Sequence, residues 1–100
     1  MIEIGRGTTP PITVKFNVPA STVDVLFLTI TQQGETVIEK DIGDAEISGN
    51  NAVILLTQAE TLTLEAGDAQ MQIRWKIGNA ADKSRVLGIN VTDVLKEGVI

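Results

Sequence analysis

Apolar and polar side chains alternate without a fault from Ala69 to Ile77. Ala69, Met71, Ile73, Trp75 and Ile77 fall on one side, and Gln70, Gln72, Arg74 and Lys76 on the other. Successive side chains of a strand point to opposite faces, so the stretch predicts a strand with one dry and one wet face. It carries the single tryptophan of the chain, and the other elements read as strands paired with it or packed over it. The same period runs from Pro11 to Val18, with Ile12, Val14, Phe16 and Val18 set against Thr13, Lys15 and Asn17. Pro10, Pro11 and Pro19 bracket that segment, and because proline lacks the ladder donor they predict an edge strand. Val23 to Gln32 is rich in β-branched and aromatic residues and predicts a further strand. Leu26, Leu28 and Ile30 make one face of it, and Val23, Val25 and Phe27 the other. Gln33-Gly34-Glu35 supplies a turn, and Thr36 to Asp41 returns as the next strand.

After a loop at Asp41 to Asp44, a short extended piece from Ala45 to Ser48 leads through Gly49-Asn50-Asn51, a tight hairpin turn, into a strand at Ala52 to Leu56. Thr57-Gln58-Ala59-Glu60 has the capping-box spacing and opens a turn or two of helix, which Gly67 ends. Beyond the organising strand, Gly78 to Lys83 reads as a polar loop. Ser84 to Thr92 follows as the last strand, with Val86 or Leu87, Ile89 and Val91 inward. Asp93 to Gly98 forms a terminal turn, and the apolar Val99-Ile100 is expected to dock. At the other end, residues 1–10 read as an arm or a short edge strand (Ile2, Ile4) and a loop, with Gly5-Arg6-Gly7 a flexible lead-in rather than a phosphate loop.

Short strands with turn signals every 8–12 residues predict an all-β, single-domain antiparallel β-sandwich, immunoglobulin-like, of about seven strands. The one short helical turn near 57–63 is then the crossing between sheets that precedes the penultimate strand. Two signs resist the immunoglobulin layout. There is no cysteine pair and no tyrosine for a tyrosine corner. The turn at Gly34 also pairs the second and third strands directly, where that layout is expected to send them to different sheets.

The 100 residues amount to one domain with a modest core, residues 1–100. A net charge of −5, with eight scattered Lys and Arg, argues against nucleic acid as a partner. No apolar run approaches the roughly 18–20 residues of a membrane helix, so no membrane partner is expected. The first residues lack a basic-then-apolar signal, which sets the expectation of a cytoplasmic protein. With no His, Cys or Tyr, the commonest general base, the thiol nucleophile and thiolate metal sites are all missing. Asp41, Asp44 and Glu46 offer calcium only three oxygen-bearing side chains, whereas it takes six to eight ligands. Glu60, Glu65 and Asp68 supply carboxylates for glycoside hydrolysis, but a small sandwich offers no deep cleft for them. A non-enzyme without catalytic residues, metal, cofactor or small-molecule substrate is the expectation.

The surplus of apolar residues is more informative. If Leu26, Leu28, Ile54 and Leu56 fill the core, Val25, Phe27, Val53 and Leu55 point outward, and they make one contiguous patch if their strands are neighbours. Such patches mark protein interfaces. Gln72, Arg74 and Lys76 form a polar stripe that can face a partner, although any solvated sheet face looks similar. These seven residues are the candidate interface.

The segments DVLFLTITQQGETVIEKD, LLTQAETLTLEAGDAQMQIRWK and GINVTDVLKEGVI follow one another in an order that resembles small tail-module structural proteins of phages and prophages of Gram-positive bacteria. The chain is also similar there to the N-terminal domain of their baseplate upper proteins. The residues that carry the likeness are Leu56, Thr57, Glu60, Thr61, Gln70, Gln72, Ile73 and Arg74, and the opening MIEIGRGTTPPITVKF adds to it. The resemblance implies a virion or tail-associated structural protein working as packed copies, a homo-oligomer or a partner of other phage structural proteins. It brings no catalytic or cofactor residues and no receptor-binding role. It also implies incorporation into the virion if the protein assembles. The alternative reading is an immunoglobulin-like ligand- or carbohydrate-binding module, against which the scarcity of aromatics counts.

Overall fold

The structure, a computed structural model, describes residues 2–100; Met1, the first residue of the expected arm, lies outside the described residues. Among the described residues nine strands and one α-helical turn follow in order: β1 (Ile2–Gly5), β2 (Pro11–Lys15), β3 (Val25–Gln32), β4 (Glu35–Asp41), β5 (Ala45–Ser48), β6 (Asn51–Leu55), α1 (Gln58–Leu62), β7 (Gly67–Ile77), β8 (Ala80–Lys83) and β9 (Leu87–Thr92). They form two layers. The larger sheet has the order β1-β9-β7-β3-β4, with β8 also on β7, and the smaller has the order β2-β6-β5.

β7, whose alternation is the longest in the chain, is the centre of the larger sheet. One side of β7 pairs with β3, in a register that sets Leu26, Leu28 and Ile30 beside Trp75, Ile73 and Met71. All three β3 residues and Met71 are fully buried, and Ile73 nearly so. Facing them from the smaller sheet are Ile12 and Val14 of β2 and Ala52 and Ile54 of β6, closed at one end by Leu56 and Leu64. Each fully buried Leu or Ile contributes about 1.5–3 kcal/mol relative to exposure. Trp75 meets Phe16, which follows β2, edge to face at a ring separation of 5.6 Å, so an aromatic pair joins the two layers. Val23 departs from the expected face. It precedes β3, in a 3₁₀ turn's exit, and is buried instead of lying beside Val25.

The Gly34 turn and the immunoglobulin layout are compatible after all. β3 and β4 pair as a hairpin within the larger sheet, the place that the C and C′ strands take in a variable-type sandwich. Gln33 and Gly34 both have positive φ, 55° and 81°, which is the backbone of a type I′ turn. Val37 is an extra residue in β4, since Ile30 pairs with Ile38 but Thr31 with Thr36.

Two expectations about strand pairing need correction. The pairing is not wholly antiparallel, because β1 lies parallel to β9 at the sheet edge. Gly78 to Lys83 is not a loop throughout: Ala80–Lys83 is β8, paired with the end of β7, and the chain then breaks register before β9. At the break Ser84 replaces a ladder partner, its hydroxyl accepting from the Ile73 N–H at 3.0 Å while its own N–H donates to the Ile73 carbonyl. The break turns Leu87 inward and leaves Val86 exposed.

Gly5-Arg6-Gly7 is a clamp rather than a flexible lead-in. The Arg6 guanidinium donates to the carbonyls of Leu62 and Leu64 at the end of α1, and to Asp93 and Glu97 at 2.7 and 2.6 Å. A cation on the last carbonyls of a helical turn satisfies groups that the helix itself leaves open. Thr61, buried in the same corner, donates its hydroxyl to the Thr8 carbonyl at 2.8 Å. The crossing between sheets is thus fastened without a tyrosine. The terminus is held by its main chain, through the Gln58 amide to Ile100. Its side chains do not dock: Leu95, Val99 and Ile100 are all exposed.

Candidate functional site

The outer face of the larger sheet collects most of the predicted interface. Register places Asp41, Phe27, Arg74 and Lys83 in one row across β4, β3, β7 and β8. The next row towards the β7–β8 turn holds Val25, Lys76 and Ala81, and on the opposite side of the Phe27 row lie Glu39, Thr29 and Gln72. Phe27 is 40% exposed and Val25 36%, so an aromatic ring stands out of a sheet face that antiparallel pairing commonly leaves wet. Acid lies on the β4 side of Phe27 and base on the β7–β8 side. Among the described residues, none of Glu39, Asp41, Arg74, Lys76 and Lys83 is in an ion pair. The face therefore presents an apolar centre between separated charges of opposite sign.

Five of the seven candidate residues, Val25, Phe27, Gln72, Arg74 and Lys76, share this face. Val53 and Leu55 do not join them. β6 belongs to the smaller sheet, where these two align with Thr13 and Pro11, so they look out from the opposite side of the sandwich. The condition for one contiguous patch is not met, since apolar residues on both faces of a strand are equally compatible with either sheet.

A hollow of about 340 Å³ opens at the end of the larger sheet by Thr31, Gly34, Asp68 and Gln70, while those nearer the middle of its face are shallow. One of about 150 Å³ lies between Phe27, Arg74, Trp75 and Ala81, and another of about 160 Å³ between Thr31, Gln70, Gln72 and Val86. Ligand sites are commonly about 300–1,000 Å³. The widest opening described, about 500 Å³, lies by Leu55, Ala59 and Val99 and has no titratable side chain.

The carboxylates singled out by sequence are employed locally. Asp41 accepts from the Gly43 N–H at 2.8 Å and Asp44 from the Asp41 N–H at 3.1 Å, capping a 3₁₀ turn. Among the described residues no group of three or more metal-ligating side chains comes together. Glu60 forms the expected capping box with Thr57 and also accepts from Lys40 Nζ at 2.8 Å. Burial pushes the Glu60 carboxyl up, and the Lys40 ammonium and the Thr57 N–H more than offset it, holding it below its ordinary value. Glu65 meets only the Gln33 amide, and its main chain is gripped by Gln32, which donates to the Glu65 carbonyl at 2.7 Å and accepts from its N–H at 2.8 Å. Sequence reading missed Arg6, Lys40 and Gln32. For Lys40 a signal existed: with Ile38 it falls on the inner side of β4 in simple alternation.

No family model matches the chain, and no curated protein sequence is significantly similar to it. Solved structures do match in shape. The immunoglobulin-like domain of mouse leukocyte-associated immunoglobulin-like receptor 1, a strand-swapped dimer, aligns with a TM-score of 0.57 at 14% identity, over 91% of this chain and 86% of that one. A strand-swapped dimer of the extracellular domain of the same receptor aligns with a TM-score of 0.56 at 13% identity, again over 91% and 86% of the two chains. The fold is an all-β immunoglobulin-like sandwich. At this identity the likeness defines the fold and nothing finer.

Proposed function

We propose that the chain is a non-enzymatic assembly module that associates through the outer face of the larger sheet, with a second copy as its partner. The observation that carries this is the row Asp41–Phe27–Arg74–Lys83. A two-fold axis lying in the interface along the strands reverses the row. It sets the acid of one copy over the base of the other and brings the Phe27 rings together near the centre. A contact of this kind is isologous and self-complementary, with an aromatic anchor at its core and charges at its rim. The solved neighbours are themselves dimers, formed by strand swapping. Following the resemblance of its motifs to tail-module proteins, we place the module among structural proteins of a phage or prophage tail, with other tail proteins as further partners.

The test is light scattering over a wide concentration range, with Phe27→Glu alongside. A concentration-dependent dimer that Phe27→Glu dissolves without loss of folding supports the reading. Asp41→Lys should weaken association, and Asp41→Lys combined with Arg74→Glu should restore it. A monomer at every concentration refutes self-association by this face.

A further inference from the structure

We propose that the free edge of β2 is a second self-association site, at which β2 of one copy pairs antiparallel with β2 of another about a two-fold axis through Thr13. Among the described residues β2 has a single neighbour, β6, in the smaller sheet. Two bonds fix which of its peptide groups face that neighbour: the Phe16 N–H donates to Asn50, and the Pro10 carbonyl accepts from Leu56. Antiparallel pairs alternate between bonded and non-bonded positions. In the observed register, therefore, even-numbered residues bond to β6, while the N–H groups of Thr13 and Lys15 and the carbonyls of Pro11, Thr13 and Lys15 point away from it. No partner for these groups is present among the described residues.

The core is also least sealed here. Ile12 and Val14, at 8% each, are its most exposed members. Other edges carry devices that discourage pairing. β4 has its extra residue at Val37 and the inward Lys40, while β1 and β5 span only four residues each. β2 has neither a bulge nor an inward charge; its own devices, Pro11 and Lys15, stand at its two ends and leave Thr13 between them open.

Among registers centred on one of the outward-bonding residues, the chemistry of the strand favours one. Centring on Pro11 sets two donorless prolines opposite each other, and centring on Lys15 opposes like charges. Centring on Thr13 lets each Thr13 N–H donate to the other copy's carbonyl, and each Lys15 N–H donate to the Pro11 carbonyl opposite. The missing proline donor then faces a Lys15 carbonyl at the rim, where water serves it. On the outer face Val53 and Thr13 of both copies form one stripe, and the stem of Lys15 lies over the other copy's Pro11 towards Leu55, which is 56% exposed. The contact is small, so its affinity is weak. It is independent of the face around Phe27, and two isologous contacts at separate places on one chain string copies into a row.

The test uses Phe27→Glu as background, so that failure of the face contact and failure of this one are separable. Mass is followed by sedimentation up to about millimolar protein, the range that a contact of this size calls for. Amide exchange of Thr13 and Lys15 is followed by NMR over the same range. Both amides should exchange freely when dilute and become protected as mass rises. Thr13→Pro removes only an outward N–H and should weaken association by about tenfold or more. A folded Thr13→Pro that associates as before overturns the proposal, and so does exchange at Thr13 and Lys15 that does not change with concentration. The exchange result decides even if Thr13→Pro fails to fold.

Discussion

Lys40 tests how a charge can sit in the core of a small sandwich. Its side chain is 10% exposed, and its ammonium donates to Glu60 Oε1 at 2.8 Å, the same oxygen that accepts from the Thr57 N–H at 2.9 Å. A hydrogen bond to a charged partner contributes about 1.5–3 kcal/mol, and removing one member of a buried pair costs more, because the other charge is stranded. Glu60 keeps 27% of its side chain in water, so the bond must be discounted, and a coupling of about 1–2 kcal/mol is expected. The cycle is Lys40→Met, Glu60→Gln and the double variant, unfolded in urea at pH 7. Lys40→Met fills the same space with an apolar chain, which isolates the ionic part from packing. For a domain of this size the coupling corresponds to about 4–16 °C in Tm.

The sign with pH follows from the lowered Glu60 value. Its contribution is fully present above the unfolded carboxyl range, and it is lost as pH falls through the folded value. The coupling should therefore be intact at pH 7 and shrink in acid. A coupling below about 0.3 kcal/mol at pH 7, within the error of independent sites, would refute the account.

Gln32→Leu removes the amide that both donates to and accepts from the Glu65 main chain; a loss of about 1–3 kcal/mol is expected in denaturant unfolding, with faster exchange of the Glu65 amide. Gln33 has φ 55°, so Gln33→Asn should raise stability by roughly 0.5 kcal/mol and Gln33→Val should lower it by about 1–2 kcal/mol; equal melting of the two variants would sink the turn assignment.

Much of the sandwich was legible because its strands obey period two. Ala69, Met71 and Ile73 are buried as alternation requires, and the Thr57–Glu60 box caps α1. What was missed depends on partners distant in sequence. Nothing near Arg6 announces that Leu62, Leu64, Asp93 and Glu97 will surround it. The β8–β9 register break rests on one serine hydroxyl replacing a ladder partner, which hydropathy does not register. For the candidate interface, face was readable but sheet was not. Phe27 and Leu55 both point outward by parity, and only the strand order shows that they look in opposite directions.

The parallel pairing of β1 with β9 bears on how the chain matures. Ile2–Gly5 and Leu87–Thr92 lie near opposite ends of the sequence, and Arg6 reaches Glu97 across 91 positions. The smaller sheet and the β3–β4 hairpin can form from segments already synthesised, whereas β1 is secured only once β9 has followed it. Such long-range closure slows folding into the millisecond-to-second range typical of β-sandwiches. Until β9 arrives, β1 has no strand to pair with, so nascent copies made side by side have their greatest opportunity to exchange β1 during synthesis.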